Sequence, residues 1–454
     1  MSLPDTIELI PLAAPARAEI TVPGSKSITN RALVLAALSE GETTLRGALW
    51  SEDTQVMVEC LQELGFMVNV SSDPTEPCNR TITVYGLAGQ VPRGGTQEQP
   101  LELFVGNAGT AARFLAAMVC LGGGVYRLHG VARMHDRPQA ALFQALRELG
   151  YRIDSANDKL PALIHGAGPR SAPGRVSIVE SSQFASALLL CARSGHWRID
   201  VVGENEEESP YVAMTRQLVE VFPDRGGTVQ VEPDASSGSY FWAAGWLAPA
   251  AARDQAIAPG ADEKARALPS REELPLNLRF PTGITVANWP TTGWQIDSEF
   301  IHYLPLPGAI SRKTELGDSI MTAIAIAPFA PLPVRFTDLG RLRVQECERV
   351  AALRDQLTQC GATVRELPGD VLEVRPSALH GATIETYQDH RMAMCFAILG
   401  LKVPGIQIKN PACVKKTFPN FFQKLAGPPP GGLGATILDA RTRQPLSHGN
   451  LFAD

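Results

Sequence analysis

Residues 22–31 read V-P-G-S-K-S-I-T-N-R, and the G-S-K-S inside them carries residue types that bind phosphate: a glycine, a lysine and two small hydroxyl side chains. A nucleotide P-loop needs G-x-x-x-x-G-K-[ST], with Lys directly after the last Gly and consecutive backbone N–H groups wrapping the phosphates. Here Ser25 separates Gly24 from Lys26, and Pro23 has no N–H to offer. The stretch runs from an apolar strand, Glu19-Ile20-Thr21-Val22, into an Ala/Leu-rich helix over Ala32 to Ser39. Its small polar residues therefore fall at a helix N-terminus, where the dipole and unpaired N–H groups favour an anion other than ATP.

The same plan recurs. Short β-branched strands run through a small or polar turn into an Ala-rich helix at 19, 101, 176, 229, 313 and 384, too unevenly spaced for a solenoid. The turns bring Lys26, Arg31 and Arg113, then Asp234 and Asp318, then Asp389-His390-Arg391. Between them a second element repeats, an amphipathic helix closed by Gly and followed by a strand, as in L-Q-E-L-G-F-M-V-N-V, L-R-E-L-G-Y-R-I-D and L-T-Q-C-G-A-T-V-R-E, with Gly expected as the C-cap. The helices after the six turns are almost wholly apolar, which predicts burial on all sides. Their N-termini, gathered at one end of each domain, would add their partial positive charges.

With 454 residues the chain is long enough for two domains or more. A balance of 41 basic to 47 acidic residues, net charge −6, argues against a nucleic-acid binder, so an anionic substrate must be drawn by local clusters. Eight cysteines are scattered without C-x-x-C or paired His, which points to reduced thiols and away from a zinc site or a disulfide framework. No basic-then-apolar leader and no run of about twenty apolar residues is seen, so a soluble cytoplasmic protein is expected. The polar stretch from about 251 to 275 reads as a solvated loop, and A-G-P-P-P-G-G-L-G-A at 426–435 as the start of an irregular tail.

Taken together, P-G-S-K-S-I-T-N-R, L-F-V-G-N-A-G-T-A-A-R, R-M-H-D-R-P, S-S-Q-F, D-A-S-S, L-G-D-S-I-M-T, R-V-Q-E-C-E-R, Q-D-H-R-M-A-M and K-K-T-F-P resemble, in order, the motifs of the 5-enolpyruvylshikimate-3-phosphate synthases. The resemblance spans residues 22–420 and implies an α/β fold of two similar domains, each of three βαβαββ units forming an inside-out α/β barrel, helices inside and sheets outside. The domains would be 23–234 and 1–22 with 235–425, followed by the tail at 426–454. In that family phosphoenolpyruvate gives its enolpyruvyl group to the 5-hydroxyl of shikimate 3-phosphate and phosphate leaves. The matching positions imply that Lys26, Gly109, Arg137, Gln183, Arg349, Arg391 and Lys416 hold the donor. Ser27, Arg31, Ser181, Ser182, Gln183, Tyr211, Asp318, Arg341 and Gln345 would hold the acceptor. Asp318 and Glu346, with Lys26, are the implied catalytic groups: one acid and one base are needed to protonate the donor's methylene and deprotonate the acceptor hydroxyl. Two phosphates and two carboxylates call for several permanent cations, so no metal or other cofactor is implied. The expected partners are the two small substrates alone, with no nucleic acid, no membrane and a monomeric enzyme.

Departures from the family pattern lie mostly on the acceptor side. Gln345 stands where Lys is usual and Arg341 where Asn is usual; Glu208 stands two residues ahead of Pro210 where Ser is usual, and Phe114 replaces Pro behind Gly109. If Arg341 and Gln345 share a helical turn they face the same way, and Arg341 restores the missing charge. Phe114 is expected to shift the Gly109 loop and lower sensitivity to glyphosate, which competes with the donor in that family. The alternative to shikimate 3-phosphate is another phosphorylated alcohol. A UDP-N-acetylglucosamine enolpyruvyl transferase would need a loop cysteine near Arg137, and no Cys lies between Leu121 and Pro138.

Overall fold

The structure, a computed structural model, describes residues 3–14, 17–203, 209–247 and 283–453. Glu208 and the 251–275 stretch lie outside the described residues. The chain divides into two compact units, Pro23–Pro233, and Met1–Val22 with Asp234–Asp454.

Unit Pro23–Pro233 contains helices α1 (Lys26–Leu38), α2 (Glu52–Glu63), α3 (Gly109–Met118), α4 (Ala132–Asp136), α5 (Ala140–Glu148), α6 (Ser182–Gly195) and α7 (Ser209–Val221). One four-stranded sheet runs in the order Gly227–Gln230, Glu40–Leu49, Asn79–Leu87, Met67–Ser72; a second runs Leu101–Phe104, Gly123–His129, Ala162–Ala167, Arg152–Asp154. A parallel pair, Ala172–Ser177 with Trp197–Val202, completes the set. Helices α1, α3 and α6 pack on one another, and each also packs on its own sheet. The sequence allows this: alanines at 111, 112, 116 and 117 keep α3 thin enough to be buried along its whole length, Arg113 included.

The other unit repeats the plan with α8 (Ala235–Leu247), α9 (Ile320–Ile326), α10 (Arg349–Gln359), α11 (His390–Gly400) and α12 (Phe421–Ala426). Its sheets are Thr383–Ile384, Gln407–Lys409, Thr6–Leu9, Ile437–Asp439, and Ala309–Ser311, Val334–Thr337, Val371–Arg375, Thr363–Leu367, with a parallel pair of Ala18–Ile20 and Ile284–Val286. Helices α8, α9 and α11 pack together, and α8 is buried from Ala235 to Leu247. Tyr240 and Phe241 meet Phe418, Phe421 and Phe422 in a chain of tilted and edge-on rings whose centroids lie 5.2–6.0 Å apart. Such geometry suits the quadrupoles of the rings.

Two expectations need correction. The glycines that close the amphipathic helices are not C-caps but follow them: Leu64, Leu149 and Cys360 cap, and Gly65, Gly150 and Gly361 take φ of 92°, 91° and 92°. That left-handed position is where a missing Cβ matters most. The chain after 426 is also not an irregular tail. Ile437–Asp439 pairs antiparallel with Thr6–Leu9, and Leu433, Ala435, Ile437, Leu451 and Ala453 are buried. Its short apolar run was masked by the Pro/Gly stretch ahead of it, and its partner strand lies at the other end of the sequence. Among the described residues no helix is long and apolar enough to cross a membrane, and the eight cysteines are free.

The entry to α1 is pinned tightly. Gly24 N–H donates to Asn79 Oδ1 (2.8 Å), Ser25 N–H donates to Glu232 O (2.8 Å), and Gly24 bridges Pro233. A Cβ on Gly24 would lie 1.9 Å from the carbonyl oxygen of Gly47, which sits in the bulge between Leu45 and Ala48. Backbone cannot yield as a side-chain tip would, so Gly24→Ala is expected to destabilise the protein by about 1–3 kcal/mol. Urea denaturation of the variant beside the wild type measures this.

Candidate active site

In unit Pro23–Pro233 the predicted residues gather at the starts of the three central helices. Neither Ser25, the N-cap of α1, nor Ala108, that of α3, supplies a side-chain acceptor to its helix, whereas Ser181 accepts from Gln183 N–H at 3.3 Å. Lys26 opens α1 and pairs with the buried Asp53 of α2 at 3.0 Å. Gly109 opens α3. Arg137, just past α4, donates through Nη1 to Asn107 O (3.2 Å), and Arg113 donates to Gly109 O (3.2 Å) and Pro138 O (2.7 Å). A Cβ on Gly109 would meet Arg137 Nη2 at 2.7 Å and Arg113 Nη1 at 2.9 Å, so the glycine is what lets two guanidinium groups crowd this helix start.

Arg31, 2% exposed, is held on all sides. It donates through Nε to Thr215 Oγ1 (2.7 Å) on α7, through Nη2 to Ser186 Oγ (2.9 Å) on α6, and through Nη1 to Ser27 O (2.9 Å). Phe114 lies 5.3 Å from its guanidinium carbon, in cation–π range. Ser27, Ser182, Gln183 and Tyr211 lie on the same three helices α1, α6 and α7, and Ser181 is the N-cap of α6. Thr215 returns a hydrogen bond to Tyr211 O (2.8 Å).

In the other unit the helix starts are occupied by carboxylates. Asp234 accepts from Ser237 N–H (2.7 Å) at α8, Asp297 from Ser319 N–H (2.8 Å) at α9, and Asp389 from Arg391 N–H (2.9 Å) at α11. Arg349 opens α10, 1% exposed, and pairs with Asp389 (2.6 Å), Glu346 (2.8 Å) and Asp318 (3.7 Å). Asp318 Oδ1 faces Arg312 (3.0 Å); its Oδ2 faces Arg391 (3.3 Å) and Arg349. Lys416 reaches Glu346 at 3.1 Å, so both acids expected to do proton transfer stand among cations. Burial works against the Asp318 carboxylate, but Arg391, Arg312 and Arg349 outweigh it and hold the carboxyl well below the usual range. Asp234, which caps α8, is instead pushed upward by burial despite Arg391. Two acids on one helix cluster therefore differ because only Asp318 touches three guanidinium groups.

Comparison with known proteins matches this chain, over residues 12–223 and 295–425, to the family described as EPSP synthase (3-phosphoshikimate 1-carboxyvinyltransferase). The chain belongs to the EPSP synthase family. A 3-phosphoshikimate 1-carboxyvinyltransferase of Opitutus terrae is 38% identical over 444 residues, 94% of this chain and 98% of that one. Another of Trichormus variabilis is 35% identical, covering 93% and 98%. The solved EPSP synthase from Acinetobacter baumannii shares the fold with a TM-score of 0.67 at 20% identity, covering 96% of this chain and all of that one (100%). The enolpyruvyl transferase NikO from Streptomyces tendae does so with 0.61 at 15%, covering 96% and 98%.

Against the EPSP synthase pattern, the substitutions at 341 and 345 sit in a 3₁₀ turn, Gly340–Val344, with Gln345 as its C-cap. At three residues per turn, positions four apart are rotated by about a third of a circle, so Arg341 and Gln345 do not share a face. Gln345 instead enters the carboxylate network: its Oε1 accepts from Arg349 Nη1, and its Nε2 stands 3.5 Å from Asp318 Oδ1. Four partners escaped sequence reading: Asp53, Asp297, Arg312 and Thr215. Each is distant in sequence from the group it serves or, as with Arg312, sits outside any motif.

Asp389 caps α11 and neutralises Arg349 at 0% and 1% side-chain exposure. Removing one partner of such a pair strands the other without water, so Asp389→Ala is expected to cost about 3–5 kcal/mol in urea unfolding, well beyond a lost cap. Because the Asp318 carboxyl is held below its ordinary value, its share of stability is complete above the ordinary aspartate range. It is lost progressively as the pH falls from that range toward the folded-state value. Acid unfolding of Asp318→Asn beside the wild type should show the two curves converging at the lowest pH.

Proposed function

We propose that this member of the EPSP synthase family transfers the enolpyruvyl group of phosphoenolpyruvate to the 5-hydroxyl of shikimate 3-phosphate and releases phosphate, a step of aromatic amino acid biosynthesis. The observation that carries the reading is Asp318 kept ionised by Arg312, Arg349 and Arg391 while Arg349 also holds Glu346 against Lys416. An acid and a base thus sit among fixed cations, as proton transfer between two anionic substrates requires.

Asp318 takes the proton of the acceptor hydroxyl as its oxygen bonds to C2 of the donor, and Glu346 gives a proton to the methylene carbon. Elimination then reverses the proton movement: a proton leaves the new methyl group, the C–O bond to phosphate breaks, and the enol ether remains. A carboxylate in three ion pairs is a weak base. The donor's own phosphate and carboxylate correct this, because Arg349 and Arg391 are assigned to it with Lys26, Gly109, Arg137, Gln183 and Lys416; as they turn to the ligand, Asp318 gains basicity. Base strength therefore rises only when the donor is bound. Ser27, Arg31, Ser181, Ser182, Gln183, Tyr211, Arg341 and Gln345 hold the acceptor. The reading includes an inside-out barrel for each unit and a cytoplasmic monomer.

A coupled phosphate-release assay with shikimate 3-phosphate as sole acceptor is expected to show turnover; no release would sink the reading. Asp318→Asn should lower kcat by about 10²–10⁴-fold with donor affinity largely kept. Lys416→Met should instead weaken the donor by about 2–5 kcal/mol, with acceptor binding little changed, in titrations of each ligand.

A further inference from the structure

Asp318 has two oxygens in different company. Oδ2 faces Arg391 on α11 and Arg349 on α10, both assigned to the donor; Oδ1 faces Arg312 Nη2 at 3.0 Å and Gln345 Nε2 at 3.5 Å. Arg312 follows strand Ala309–Ser311, its N–H donates to Thr337 O (3.1 Å), and its side chain is 2% exposed. No substrate role falls to it. Across Gly317 stands Asp297, and Glu346 shares Arg349 with Asp318. When Arg349 and Arg391 turn to the donor, the guanidinium left on Asp318 is that of Arg312.

We infer that Arg312 is the positioning residue for the reaction's base: it grips Asp318 Oδ1 and supplies there the charge that the neutral Gln345 does not, leaving Oδ2 to take the hydroxyl proton. The inference rests on the reading above for the word base, while the grip itself does not. It makes positions 312 and 345 alternatives for one charge on one oxygen. A charge restored at 345 should therefore replace a charge lost at 312.

The test labels the aspartate carboxyl carbons of the full chain for NMR, with Asp318 assigned by its absence in Asp318→Asn. Arg312→Gln is expected to raise the Asp318 titration by about one to three pH units, and Arg312→Gln with Gln345→Lys to bring it most of the way back. In turnover, kcat of Arg312→Gln should fall by about ten- to a hundredfold, with an acid limb at higher pH, while both Michaelis constants stay near wild type. Arg312→Lys keeps a charge and guards against a Gln variant that folds poorly; its titration should stay closer to wild type. An Asp318 titration unmoved in Arg312→Gln, or as high in the Lys variant as in the Gln variant, would overturn the inference. So would a double variant no better than the single one. If the wild type makes no product, the functional reading falls, and the titration still decides whether Arg312 grips Asp318.

Discussion

The buried pair of Asp389 and Arg349 is the contact on which the acidic half of the site depends. Asp389 does two jobs with one carboxylate, capping α11 through Arg391 N–H and meeting Arg349 Nε at 2.6 Å, and neither side chain is exposed to more than 1%. Desolvation alone would disfavour both charges, and Glu346 and Asp318 bring Arg349 further negative partners. The consequence is geometric: with Arg349 fixed at the start of α10, the three carboxylates and Gln345 around it are fixed as well. The order of this acidic half thus comes from one buried cation shared by three carboxylates.

The two units use the same helix starts in opposite ways. In Pro23–Pro233, α1 and α3 begin without a side-chain acceptor, and basic residues stand beside them: Lys26 and Arg31, Arg113 and Arg137. In the other unit, carboxylates already fill the starts of α8, α9 and α11, and arginines fill the space around those carboxylates. Repeated architecture therefore carries two chemistries. One unit sets basic residues beside helix starts that lack a side-chain cap; the other sets carboxylates on its helix starts and pairs them with arginines.

Much of this was legible in the sequence because each turn carries its own chemistry: the helix starts, the candidate acids and the cations are all encoded within a few residues of a strand end. What was not legible is whatever depends on a partner far along the chain. Asp53 for Lys26, Thr215 for Arg31 and Asp297 for the start of α9 have no local pattern. The strand Ile437–Asp439 is set by pairing with Thr6–Leu9, which no window of sequence contains. The 3₁₀ turn at Gly340–Val344 changes periodicity by only a fraction of a residue per turn, yet that is enough to separate Arg341 from Gln345.

Phe114 shows how a departure from a family pattern can be absorbed rather than tolerated at the surface. Proline at 114, in the second turn of α3, would remove an N–H from the helix interior; phenylalanine keeps the N–H and adds a ring, which the core takes up completely at 0% exposure. The ring faces Arg31, whose other sides are held by Thr215 and Ser186, so the helix that begins at Gly109 is in contact with the arginine that α1 contributes. A change at 114 is thus felt in two places at once: at the start of α3, where Arg113 and Arg137 crowd Gly109, and at Arg31. Helices α1 and α3 of this unit are thus coupled through one buried ring.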